Sequence, residues 1–245
     1  FSYDVFIEGD QPNCKIFETP LAKYDVIIVP SGILEIAEDT VSGIRQQLIL
    51  YGDDIVNCGP WNQIVYDYLP GFLKALKYCR EKGFRKFFLP GLKNRSFLKR
   101  IAAIIESGVK AGFPESAFHV HLPKEGIIAS AMLTGNKCAH YYLEQRLTDH
   151  VIISSSDFIT YGLLDVLSSS GMVMGKDFRL ISYDNFEGRL EASQFKLGIT
   201  SITHPMNVHA EAIIAMLENL TRNPSRNYYQ TYFTPATEFI IRKSI

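Results

Sequence analysis

Short apolar runs closed by turn residues recur along this chain, and stretches with helical periodicity lie between them. "YDVIIVP" (24–30), "RKFFLPG" (85–91), "AFHVHL" (117–122), "HVIISSSD" (150–157), "DFRLISYDN" (177–185) and "TEFIIRKS" (237–244) read as strands. "YDVFIEG" (3–9) reads as a further strand and "DDIVNCG" (53–59) as a weaker one. Between them, "LPGFLKALKYCREK" (69–82) sets Leu69, Phe72, Leu73, Leu76 and Cys79 on one helical stripe that Gly83 stops. "SFLKRIAAIIESGVKAG" (96–112), "KCAHYYLEQRL" (137–147), "FITYGLLDVLSSSG" (158–171) and "NVHAEAIIAMLENLTRNP" (207–224) complete the helices. Runs apolar on both faces are the mark of parallel strands covered by helices, so the alternation predicts an α/β protein built from βαβ units. Periodicity does not decide between one sheet and two.

With 245 residues, 47% of them hydrophobic, the chain can form one large core or two smaller ones. A net charge of −1 provides no field to attract nucleic acid or a membrane surface. No apolar run approaches the ~20 residues that span a bilayer, and the opening "FSYDVFIEGD" does not read as an export signal. Cys14, Cys58, Cys79 and Cys138 are scattered without metal-ligand spacing, which suits reduced thiols in the cytoplasm. A strand so near the first residue suggests a natural chain that extends further toward the N-terminus.

Catalytic motifs are missing from the sequence: there is no GxSxG elbow, no phosphate-binding Walker loop and no GxGxxG. Ser154-Ser155-Ser156 lacks an elbow glycine and an assignable base. His119 and His121 share one side of a strand but have no third ligand nearby, so a structural role is expected of both. The carboxylates of "SGILEIAEDT" (31–40) read as solvated, and His204 as local to a helix entrance. No enzyme activity, cofactor or metal is expected.

In parallel α/β folds, ligands bind beyond the carboxyl ends of the strands. Those ends carry Ser31, Trp61, Arg95, Ser156, Asp157, Phe158, Asp184 and Asn185. Hydroxyls, amides, charges and an indole suit a polyhydroxylated ligand, whose polar rim is oriented by hydrogen bonds and whose ring face is covered by an aromatic. Taken singly, Ser156 and Asp157 also suit a helix cap, and Asp184-Asn185 also suits a plain turn. Phe158 and Trp61 also suit ordinary packing.

The order of these motifs resembles the effector-binding domain of the lac and galactose repressor (LacI/GalR) family over almost the whole chain. "YDVIIVPSG" is similar to the family's strand ending in Pro-Ser-Gly. "VYDYLPGFLKALKYCREKGFRKFFLPG" matches at Asp67, Gly71, Ala75 and Gly83, with Phe84 where the family usually has His. "KRIAAIIESGVKAGFP" resembles the helix carrying the ligand-clamping arginine, here Arg100, with Ala103 in place of a usual glycine. The most specific match covers Ser155-Ser156-Asp157, Gly162 and Ser182-Tyr183-Asp184-Asn185, where the family shows Ala-Asn-Asp-x-x-Ala-x-Gly and then Gly-Phe/Tyr-Asp-Asp/Asn. Ser156 replaces the family's Asn and lacks its amide. "ITSITHPMNVHAEAIIAML" and "TPATEFIIRKSI", with its Arg-x-Ser, match the closing segments.

The resemblance implies two Rossmann-like lobes of the periplasmic-binding-protein type, with a ligand cleft between them. Residues 1–66 with 203–229 would form an N-terminal lobe lacking its first strand and helix. Residues 67–202 with 232–245 would form the C-terminal lobe, the chain crossing near Asp67, Ile202–Thr203 and Gln230–Tyr232. Asp184 and Arg100 would be the principal ligand contacts, joined by Ser156, Asp157, Asn185, Trp61, Phe158, Arg95 and Ser31. The implied function is a cytoplasmic ligand sensor of a bacterial transcriptional regulator. It would bind a sugar, or alternatively a purine, and control DNA binding through a headpiece outside this chain. A homodimer is implied, and the apolar-rich helix at 207–220 is a candidate interface. A transport receptor of the same fold is the alternative, and a hydrolase or isomerase the more distant one.

Overall fold

The computed structural model of the chain describes residues 25–30, 48–52, 62–124, 130–189, 196–203, 206–222, 229–235 and 238–245. They fall into two compact units, one within Phe1–Asp67 and Met206–Thr234, the other Tyr68–Pro205 with Pro235–Ile245. In the first unit, β1 (Ile27–Pro30), β2 (Leu48–Gly52), β3 (Asn62–Asp67) and β9 (Thr231–Pro235) form a four-stranded sheet in that order, with β1, β2 and β3 parallel. Ile49 and Ile64 of this sheet pack with Met216 of α6 (Met206–Arg222).

The second unit holds a six-stranded sheet. Its strands are β4 (Phe87–Pro90), β5 (Phe118–His121), β6 (Val151–Ile153), β7 (Arg179–Tyr183), β8 (Thr200–Thr203) and β10 (Glu238–Ile240), in the order β10-β8-β7-β6-β4-β5. All run parallel except β10, which lies antiparallel on β8. Its helices are α1 (Leu69–Glu81), α2 (Arg95–Lys110), α3 (Ala131–Glu144), α4 (Asp157–Ser169) and the single turn α5 (Phe186–Arg189).

Side-chain alternation puts helices on both faces of this sheet. Phe88, Ile152 and Leu180 join Cys138, Tyr142, Ile159 and Leu163 of α3 and α4 in one buried cluster. On the opposite face Tyr183 stacks on Phe72 of α1, with ring centroids 5.7 Å apart, and Phe87 stacks on Phe118 at 5.0 Å. The helix stops are those the sequence predicts. Gly83 after α1 and Gly112 after α2 take φ of 84° and 88°, the left-handed conformation in which glycine carries no Cβ penalty.

Several elements differ from the sequence expectation. α3 starts at Ala131, six residues before the expected 137, and Ser130 caps it by accepting from Leu133 N at 3.0 Å. Thr134 and Gly135 are poor helix formers, which hides this first turn from a reading by propensity. β2, β3, β8 and β9 are further strands; β2 is the short apolar run Leu48–Tyr51, while β3, β8 and β9 carry polar residues that interrupt such a run. In β3 the polar Asn62 and Gln63 are buried; Gln230 N donates to the Asn62 side-chain Oδ1 at 3.2 Å, and the backbone Gln63 N donates to Gln230 O at 2.8 Å. The expected strands at 3–9 and 53–59 lie outside the described residues, as do the acidic 31–40 stretch, His204, Cys14 and Cys58.

α3 and α4 meet at a pair of glycines. A Cβ on Gly162 would run into the carbonyl oxygen of Met132 and come within 2.9 Å of Asn136 N. A Cβ on Gly135 would run into the carbonyl oxygen of Ile159 and lie 3.0 Å from Gly162 Cα. The two backbones are in contact because neither residue has a side chain.

Cys79 and Cys138 are fully buried free thiols, and burial pushes both up to about 12. A thiol so placed supplies almost no thiolate at neutral pH. In the native protein both are expected to resist Ellman's reagent for hours and to react within minutes in urea. Fast native labelling of either, located by peptide mass, would contradict this packing.

Candidate functional site

The chain order reverses around β4: β5 lies on one side of it and β6 on the other. Such a reversal opens a crevice at the carboxyl ends of the strands. Three segments converge there: α2 after β4, the Ser154–Asp157 turn after β6, and the Asp184-Asn185 turn after β7. They bring Arg100, Ser156, Asp157, Asp184 and Asn185 together within the second unit.

Arg100, in the second turn of α2, donates through Nη1 to Ser155 O at 2.8 Å and faces Asp184 Oδ1 at 3.5 Å. Both side chains are largely covered, at 15% and 20% exposure. The guanidinium lies over the Tyr183 ring, 4.6 Å from its centroid, with Tyr68 at 5.4 Å. Its Nε also donates to Tyr68 Oη at 3.4 Å. Arginine suits this place because one planar cation can stack on an aromatic face while donating in its own plane. Tyr68 and Tyr183 are site residues that the sequence reading did not single out. Their signal was slight: Tyr183 closes a buried strand and Tyr68 precedes a helix.

Asp184 and Asn185 both have left-handed backbone, with φ of 100° and 57°. A non-glycine residue held so costs about 1–3 kcal/mol and persists only where its surroundings over-determine it. Here they do. Asp184 N donates to Ile202 O at 3.1 Å, and Thr203 Oγ1 donates to Asp184 O at 3.2 Å. Asn185 is buried, and its Oδ1 accepts from Arg242 Nη2 at 2.8 Å.

Asp157 sits at the start of α4 and is 2% exposed. Its Oδ2 accepts from Phe186 N at 2.6 Å, its Oδ1 accepts from the Ser182 hydroxyl, and its own N–H donates to Asp184 Oδ2 at 3.4 Å. Ser182 gives its proton to Asp157, so Thr160 Oγ1 donates to Ser182 Oγ across 2.7 Å. Strand alternation explains this division of labour. Ser182 points to α4 and engages Asp157, while the next residue, Tyr183, points the other way and carries Arg100.

Ser156 is buried and caps α4, accepting from Phe158 N at 3.3 Å. Phe158 is 53% exposed and meets Phe186 edge-on at 5.3 Å. Arg95 is the first residue of α2 and is exposed. Ser31 and Trp61 lie outside the described residues. Ser155 Oγ is buried with no hydrogen-bond partner among the described residues. The Tyr161 phenol is pushed up to about 12, first by burial and then by the carboxylates of Asp157, Glu187 and Asp184.

His119 hydrogen-bonds Tyr141 Oη at 3.0 Å, and His121 stacks on the same ring at 3.7 Å. Among the described residues no group of three His, Cys, Asp or Glu side chains could hold a metal ion, and no helix is long and apolar enough to cross a membrane.

No protein-family model matches the sequence, and no curated protein matches it. Solved structures do match. A LacI family transcriptional regulator from Enterococcus faecium with bound ribose superposes with a TM-score of 0.69 at 16% identity, covering 94% of this chain and 81% of its own. The lactose repressor bound to the anti-inducer ONPF gives 0.69 at 16%, with the same coverage. A LacI family regulator from Arthrobacter sp. FB24 in complex with lactose gives 0.68 at 16%, covering 96% and 84%. The fold of this chain is the periplasmic-binding-protein-like α/β fold of these LacI-family regulators.

Proposed function

We propose that this chain is the effector-sensing part of a bacterial transcriptional regulator of the LacI/GalR type. It binds a small polyhydroxylated molecule, a sugar or sugar derivative, at the carboxyl edge of the six-stranded sheet. Binding there controls an attached DNA-binding headpiece. The observation that carries this reading is the Asp184–Arg100 pair, a part-buried acceptor on a positive-φ turn after β7 facing a part-buried donor on α2. A carboxylate accepts from sugar hydroxyls and a guanidinium donates to them, so the pair can grip adjacent hydroxyls of one ring. Phe158 and Phe186 offer an aromatic surface beside it. The ribose and lactose held by structural neighbours support the ligand class.

The protein acts without catalysis, in the cytoplasm and as a homodimer, and Ile214 on α6, more than half exposed, suits such an association.

The test is a thermal-shift panel of pentoses, hexoses, disaccharides, their phosphates and purines. A ligand at 100 times its dissociation constant stabilises by ~2.7 kcal/mol, so the sugar that fits is expected to raise the melting temperature clearly. A shift by purines alone, or by no compound at 10 mM, would sink the sugar reading.

A further inference from the structure

We infer that Asp157 and Arg242 are positioning residues that hold the Asp184-Asn185 turn from its two sides and so set ligand affinity without touching the ligand. The inference rests on the reading of Asp184 as the ligand's carboxylate. Asp157 is turned inward and both of its carboxylate oxygens are engaged, one by Ser182 and one by Phe186 N. Its negative charge at the first turn of α4 also suits the N-terminal end of that helix's dipole.

Arg242 comes from the opposite direction. It follows β10, the antiparallel edge strand, and its Nη2 reaches Asn185 Oδ1 at 2.8 Å while Nη1 donates to Ile199 O at 2.5 Å. Its backbone is fixed in turn, since Arg242 N donates to Thr200 Oγ1 at 2.8 Å. Two residues on, Ser244 bridges β7 and β8, donating to Leu180 O at 2.6 Å and accepting from Thr200 N at 2.7 Å.

Glu187 completes the second side. Its carboxylate accepts from Gly198 N at 2.9 Å and from Ile199 N at 2.9 Å, the residue whose carbonyl Arg242 takes. Asp157 thus ties down the residues on either side of the turn, Ser182 and Phe186, while Arg242 holds Asn185 within it and Glu187 the chain beyond. Two consecutive residues in left-handed backbone conformation relax once such anchors are lost. The Asp184 carboxylate would then leave its place opposite Arg100.

The experiment compares Arg242→Met, Arg242→Lys and Asp157→Asn with the parent by amide hydrogen exchange without ligand. Ribose, lactose and cellobiose are then titrated calorimetrically. Arg242 makes no contact with Phe186 N, so faster exchange at that amide reports on the turn itself. In Arg242→Met the amides of Asp184 and Phe186 are expected to exchange at least fivefold faster, while Leu163 and Leu167 in α4 stay within twofold of the parent. Arg242→Lys, which retains one donor, should recover part of the protection. Asp157→Asn should expose Phe186 in the same way. For whichever sugar the parent binds, Arg242→Met should raise the dissociation constant about fivefold or more.

Unchanged exchange at Asp184 and Phe186 would overturn the inference. So would acceleration spread evenly through the second unit, which marks a general loss of stability. If the parent binds none of the three sugars, the sugar reading loses its support while the exchange result still decides the role of Arg242. Should Arg242→Met fail to fold, Arg242→Lys and Arg242→Gln carry the same comparison.

Discussion

Gly162→Val is expected to be the most damaging single substitution in the second unit. The new Cβ would occupy the place of the Met132 carbonyl oxygen and crowd Asn136 N, both on α3. Neither can swing aside as a long side chain would, since both belong to the backbone of a packed helix. Overpacking of this kind costs about 1–3 kcal/mol and occasionally more, and valine adds a stiff, branched side chain to the interior of a helix. Gly162→Ala should fall within that range and Gly162→Val at or above its upper end. Urea unfolding read by circular dichroism checks this. Gly135→Ala should destabilise comparably, because its Cβ would meet the Ile159 carbonyl. The double alanine variant should lose less than the sum, since the first substitution already forces the helices apart. A Gly162→Val protein with the parent's midpoint would mean that α3 and α4 do not touch here.

The second large effect concerns binding. Asp184→Asn keeps the shape of the side chain but removes its charge, and should weaken the selected sugar by about ten- to a hundredfold, since charge-assisted hydrogen bonds contribute ~1.5–3 kcal/mol and ~1.4 kcal/mol is tenfold. Arg100→Ala should do the same. Stacked on Tyr183 and tied to Ser155 O, the guanidinium is held in place before ligand arrives, so little ordering cost offsets its hydrogen bonds. Because the two groups face each other at 3.5 Å, each single variant also leaves its partner unbalanced in a part-buried place. The double variant is therefore expected to fall short of additivity. Isothermal titration with the sugar that gives the largest thermal shift is the measurement. If both single variants bind as the parent does, Asp184 is a turn residue and nothing more.

Which features the sequence showed, and which it hid, follows from the range of the interactions. β4, β6 and β7 were legible because burial on both faces leaves a continuous apolar run, and α1 and α2 because one apolar stripe repeats every turn. The start of α2 was off by a single residue, Arg95 against Ser96, because Asn94 accepts from Phe97 N and caps one residue earlier. Gly162 stood out only through resemblance, and its contact with α3 gives the physical reason for a glycine there. Arg100 likewise stood out only through resemblance, whereas Asp184 and Ser156 could be placed at element ends from their neighbours in the chain. That Asp157 turns inward could not, since its partners Ser182 and Phe186 lie 25 and 29 residues away. The buried polar set of Ser182, Thr160 and Ser201 is equally hidden, because each is tolerated in the core only through bonds that depend on strand register. Arg242 and Ser244 were visible as an Arg-x-Ser pattern, yet their work lies 57 and 64 residues back along the chain.

That separation sets a schedule during synthesis. Arg100 leaves the ribosome 84 residues before Asp184, whereas Arg242 emerges 57 residues after Asn185. At ~5–20 residues per second, the nascent turn waits roughly 3–11 s for its second anchor. During that interval β7 also lacks the Ser244 bridge to β8. A copy whose translation stops in β10 would possess nearly every helix and strand of the second unit and still hold Asp184 loosely. Grip at Asp184 would then be gained only once Arg242 and Ser244 have emerged and found β7 and β8.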